Sequence, residues 1–85
     1  MKNKKRLNIA IIGLGNIGSY LYQYLRTNKK QLFKKNNIVP HVIYVSAKNK
    51  SKKRSVKIKK SMWLNNYMDA TKNKKIDLII ELIGG

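Results

Sequence analysis

The chain has no cysteine, and among its 85 residues only three are acidic, one is histidine, one is proline and one is tryptophan. Without cysteine there is no disulfide, no thiolate metal site and no cysteine nucleophile. That usage suits a reducing compartment, and the cytoplasm is the expected location. The single histidine, His41, cannot assemble a metal site with three scattered acids, Asp69, Asp77 and Glu81. It is expected to be a partly buried strand residue or an exposed strand start. No apolar run approaches the ~18–20 residues needed to cross a bilayer, so no membrane partner is expected. The opening MKNKKR-LNIAIIGLG imitates a secretory signal, but it lacks a small-residue cleavage site and runs directly into a glycine motif. Eighty-five residues allow one small domain, burying only about 60–65% of its unfolded surface.

The scarcity of acid leaves a net charge of +17. Such a balance usually signals nucleic acid or an anionic surface. Here 17 of the 20 basic residues are lysine, and lysine, asparagine and isoleucine make up 38 of the 85 residues. These three residues have adenine/thymine-rich codons, so a biased genome accounts for much of the charge. Nucleic-acid readers also favour arginine, for its bidentate contacts. No specific nucleic-acid partner is therefore expected. A small basic nucleic-acid-binding protein using Lys48–Lys60 with Tyr20, Tyr22 and Tyr24 is the weakest alternative. Those tyrosines alternate along a helix and do not share one stacking face, with Tyr24 on its apolar side.

Glycine is also sparse, yet three of the five glycines fall within six positions, in Gly13-Leu14-Gly15-Asn16-Ile17-Gly18. Before them, Leu7–Ile12 reads as a strand buried on both faces. After them, Ile17, Leu21, Tyr24, Leu25 and Leu32 recur at helical spacing. A G-x-G-x-x-G between a strand and a helix is a phosphate cradle. Gly13 permits the tight turn, Gly15 lets the backbone approach a pyrophosphate, and Gly18 lets the helix pack closely. The free N–H groups and positive dipole end of the helix then hold the anion.

Along the chain, residues 1–6 read as a disordered basic arm and 7–85 as an incomplete nucleotide-binding domain. A helix is predicted from 16 to about 28, with a possible continuation to Lys35. A second strand spans Val39–Ala47, its start confined by Pro40. Lys48–Lys60, with eight basic residues in thirteen, reads as a solvated loop or an anion site. A short third strand at 61–64, a short helix at 66–73 and a buried strand at 77–83 complete the pattern. The alternation predicts an α/β fold, the amino-terminal half of a doubly wound parallel sheet of the Rossmann, NAD(P)-binding type. The last strand should lie beside the first, opposite the second. With helices for little more than one face, Ile11, Ile79 and Leu82 are expected to be partly exposed.

In such folds an acid at the end of the second strand selects NAD, and a basic residue there accepts the 2′-phosphate of NADP. Here that strand ends at Ser46-Ala47 and is followed by Lys48, Asn49 and Lys50, with no acid. NADP is the expected cofactor, with NAD possible.

Together these pieces resemble the amino-terminal part of homoserine dehydrogenase. The resemblance rests on GLGNIGS at 13–19, VSAKNKSKKR at 45–54, the Trp63 segment and DLIIELIGG at 77–85. In that family the second strand runs into V-S-A-R-D-R-S-R-D-R-G, and a later strand ends in E-L-I-G-G. Ser55 stands where the family often has glycine, and Tyr67 where it often has proline. The resemblance implies reduction of L-aspartate 4-semialdehyde to L-homoserine with NAD(P)H, a step toward threonine, methionine and isoleucine. It implies that Gly13, Leu14, Gly15, Asn16 and Ile17 hold the pyrophosphate and that Gly18 completes the cofactor-binding turn. Ser46, Ala47, Lys48 and Lys50 would meet the adenosine phosphate, with Leu82, Ile83 and Gly84 near the nicotinamide ribose. It also implies that catalytic residues and homo-oligomer contacts belong to regions beyond these 85 residues, leaving a cofactor half-site that is inactive alone. The alternative is a dinucleotide-binding regulatory module without chemistry.

Overall fold

The computed structural model describes residues 5–48 and 56–82. Three parallel strands form one sheet: β1 (Lys5–Ile12), β2 (Ile38–Ser46) and β3 (Leu78–Glu81), in the order β2-β1-β3. The last strand therefore lies beside the first, as expected. The first strand begins at Lys5, so Lys5 and Arg6 belong to the sheet rather than to an arm. Asn8 fixes the entry to β3. Its N–H donates to Asp77 Oδ2 (2.8 Å), its carbonyl accepts from Asp77 N–H (2.8 Å), and its amide donates to the Lys75 carbonyl (3.0 Å).

The predicted single helix is two, α1 (Asn16–Thr27) and α2 (Lys29–Asn36). The break has a local cause. Thr27 Oγ1 donates to the Gln23 carbonyl (3.0 Å), and Asn28 Nδ2 donates to the Tyr24 carbonyl (2.9 Å). Short polar side chains thus compete with the helix for its last carbonyls. Asn37 then ends α2 at φ 57°, a left-handed conformation that asparagine tolerates.

The buried face of α1 also differs from the expectation. Gly18, Ser19 and Tyr22 point inward, with Leu21 and Leu25 half-buried beside them, while Ile17 (72% exposed) and Tyr24 (43%) do not. Tyr20 and Tyr24 stack on the outer face with ring centroids 6.4 Å apart, so these two do share a face.

Both faces of β1 are covered. Ile9 and Ile11 pack with Leu14, Tyr22 and Val45 under α1, while Ala10 and Ile12 pack with Leu64 and Ala70 on the other side. Ile11 is fully buried, contrary to the sequence expectation, whereas Ile79 is 39% exposed and Leu82 is half-buried. The lysine-rich stretch adds to the cover under α1, and Leu64 and Ala70 supply it on the other face. Val56 and Ile58 pack on the first cluster between outward-facing lysines, followed by Met62 and Trp63. Nor is there a third strand at 61–64. A 3-10 turn at Lys60–Met62 leads into a single parallel bridge, Val45 to Trp63. The helix expected at 66–73 is a 3-10 helix at Tyr67–Lys72, capped by Asn66, which accepts from Met68 N–H (3.0 Å).

One residue is extra in β2. Ile9 pairs with Val42 but Ala10 pairs with Tyr44, so Ile43 is a bulge. Because of it Val42 and Val45, three positions apart, both pack on the same cluster, and Tyr44 packs on the other.

Candidate functional site

Parallel strands point their carboxyl ends the same way, and in open α/β sheets ligands bind outside those ends. Here the three ends converge. The N–H groups of Gly13 and Leu14 both donate to the carbonyl of Ser46, each at 2.9 Å, and the Leu82 N–H donates to the Ile12 carbonyl at 2.7 Å. The glycine turn, the end of β2 and the end of β3 are thereby joined at one edge of the sheet. This brings together Gly13–Gly18, Ser46, Ala47, Lys48 and Leu82. Lys50, Ile83 and Gly84 lie outside the described residues.

Each glycine of the turn has a distinct environment. Gly13 turns the chain out of β1 with φ 100°, a region that L side chains rarely adopt. At Gly18 a Cβ would collide with the carbonyl oxygen of Gly13, lie 3.3 Å from its carbon and reach 3.6 Å from Ile11 Cγ2. Close packing of helix on turn therefore requires glycine there. Gly15 is the opposite case: no described atom lies within 4 Å of the position its Cβ would take. Its φ of −85° is ordinary, so nothing among the described residues demands glycine at 15. The space there suits a ligand drawn close to the backbone.

Electrostatics point the same way. Gly15 is the N-cap of α1, no side chain caps the helix, and its first turn holds no acid. The first-turn amides of a helix have no intrahelical acceptor, and its dipole is positive at that end. Gly15, Asn16 and Ile17 are exposed, as is Lys48, while Ser46 is buried at the strand end. This donor set fits a diphosphate. Among the described residues no group of His, Asp or Glu could hold a metal ion, and no helix is long and apolar enough to cross a membrane.

A separate groove of about 620 Å³ lies away from this edge, between α1, β2 and the Lys57–Met62 segment. His41 sits there, half-buried on β2, its Nδ1 3.3 Å from Lys29 Nζ. Burial, with Arg6 and Lys29 nearby, lowers its pKa from the usual 6.5. The unfolded chain then binds the proton more readily than the folded one. The stabilising contribution is complete above pH 6.5 and is lost as pH falls through the lower folded value. Urea midpoints should therefore drop between pH 7 and 5, and His41→Gln should flatten that slope. An unchanged slope in the variant would rule the histidine out.

No protein-family model matches the chain, and no curated protein sequence matches it. Solved structures do. Homoserine dehydrogenase of S. aureus at pH 7.5 is 30% identical over 95% of this chain, with a TM-score of 0.84. The same enzyme at pH 8.5 is 29% identical over 98% of the chain with a TM-score of 0.83, and at pH 6.0 it is 30% identical over 95% with a TM-score of 0.81. In each case the chain spans 21% of the length of the solved protein. The half-Rossmann sheet and this likeness make the chain similar in fold, over nearly its whole length, to the amino-terminal region of homoserine dehydrogenases.

Proposed function

We propose that the chain is the cofactor-holding part of a homoserine dehydrogenase, which reduces L-aspartate 4-semialdehyde to L-homoserine with NADPH. The observation that carries this reading is the hydrogen-bonded junction of Gly13 and Leu14 with Ser46, beside an open approach at Gly15. The cofactor, when bound, supplies the hydride. The residues here bind and orient it. Gly13, Gly15, Asn16 and Ile17 receive the pyrophosphate at the start of α1, and Gly18 keeps the helix packed on the turn. Ser46, Ala47, Lys48 and Lys50 meet the 2′-phosphate of the adenosine. Leu82, Ile83 and Gly84 border the nicotinamide ribose. Carbonyl protonation and amino-acid binding fall to other parts of such an enzyme.

Cofactor choice is tested by reversing charge at the ribose end. Lys48→Glu with Lys50→Glu should weaken NADPH roughly tenfold more than NADH, about 1.4 kcal/mol, since only NADPH carries the 2′-phosphate. Calorimetric titration with both cofactors measures this. Equal losses would mean general electrostatics and would remove the preference for NADP.

A further inference from the structure

The groove beside β2 lies apart from the cofactor edge, and its chemistry does not depend on nucleotide binding. Its floor is apolar, from Leu25, Val42, Ile58 and Met62, and its rim carries Arg26, Lys29, Lys57 and Lys59 without any acid. It also borders a free sheet edge. β2 is the outer strand, and among the described residues it bonds on its outer side only near Val45, which bridges to Trp63 and accepts from the Leu64 N–H. Among the described residues Pro40–Tyr44 have no strand neighbour on that side. Pro40 suits an edge, since it has no N–H to contribute to a ladder.

An unpaired edge is a template for an extended segment, whose backbone pairs with the strand while alternate side chains enter neighbouring pockets. We propose that this edge docks an extended acidic segment of a partner protein, in which apolar residues alternate with glutamate or aspartate. The apolar side chains would occupy the groove floor and the carboxylates would meet the cationic rim. Charge argues against the other occupants. The other stretches of this sequence, MKNK at 1–4, NKSKKRS at 49–55 and IGG at 83–85, contain no acidic side chain. The acids it does have are placed elsewhere: Asp77 is held by Asn8, Glu81 ends β3 and Asp69 lies in the second 3-10 helix. A second copy brings another +17 to a surface that is already basic.

The test uses the 85-residue chain and a labelled ten-residue peptide of alternating valine and glutamate, followed by fluorescence anisotropy at physiological salt. Saturable one-to-one binding is expected, with amide shifts in NMR spectra of the unmodified chain centred on Val42, Ile43 and Tyr44. Arg26→Glu with Lys59→Glu, both exposed, should weaken binding at least tenfold. Lys72→Glu with Lys74→Glu makes the same charge change at exposed positions that do not line the groove, and should cost less than threefold. The proposal is overturned by equal losses in the two double variants, by equal binding of an all-glutamate peptide or of a single-stranded oligonucleotide, by shifts confined to other strands, or by no binding. Sedimentation showing self-association through this edge would replace the partner with a second copy and overturn it as well.

Discussion

Gly15→Val is expected to abolish NADPH binding while leaving the fold in place. The two halves of that statement come from the same observation. No described atom lies within 4 Å of where a Cβ at 15 would sit, so the first carbon of a side chain meets none of the described residues. The backbone at φ −85° accepts it without strain. Replacing glycine at an N-cap by an apolar residue costs about 1 kcal/mol or less. The same empty volume is where a diphosphate would come against the first-turn amides, and a branched side chain fills it. Calorimetry should show affinity reduced beyond detection, while circular dichroism and the urea midpoint change little. Unchanged affinity would mean that the pyrophosphate does not lie on this turn.

Gly18→Val is expected to do the reverse and damage the fold itself. The first added carbon would strike the Gly13 carbonyl, a backbone atom that cannot swing aside. That carbonyl belongs to a turn tied by two hydrogen bonds to Ser46, so a shift there pulls on the end of β2. Overpacking of this kind costs about 1–3 kcal/mol, a large part of the stability of a domain this size. Because the clash begins at Cβ, Gly18→Ala should lose most of what Gly18→Val loses. This runs against propensity, which favours alanine over glycine inside a helix by about 1 kcal/mol. Urea unfolding decides the matter. An alanine variant as stable as the parent would show that the close approach of helix and turn is dispensable.

The strand, turn and helix that frame the candidate site were legible in the residues, because they depend on local chemistry. The change of period across Gly13–Gly18 marks the strand, the turn and the helix, and the missing acid after Ser46 bears on cofactor choice. Less legible was everything set by distant partners. Ile11 is buried in a cluster under α1 that Val56, Ile58 and Met62 also pack against, and V-K-I-K within a lysine-rich stretch looks like solvated loop. Its strict alternation was the available signal. Trp63 and Leu64 resemble a strand by composition, but only one bridge to Val45 forms there. Tyr22, rather than Tyr24, turns inward because the packing of Gly18 against Gly13 fixes the rotation of α1, and periodicity alone could not select among neighbouring tyrosines.

The extra residue in β2 separates sequence length from sheet register. Ile9 pairs with Val42 and Ala10 with Tyr44, so the ladder on either side of Ile43 is already in phase with β1. Removing that one residue would close the strand into a regular ladder with every pairing kept. Val45 would still face the core and Ser46 would still receive the glycine turn. A related chain one residue shorter between Val42 and Tyr44 would therefore carry the same cofactor edge behind a straighter outer strand. A gap at that point of an alignment records a change in the curvature of the groove and none in the nucleotide site.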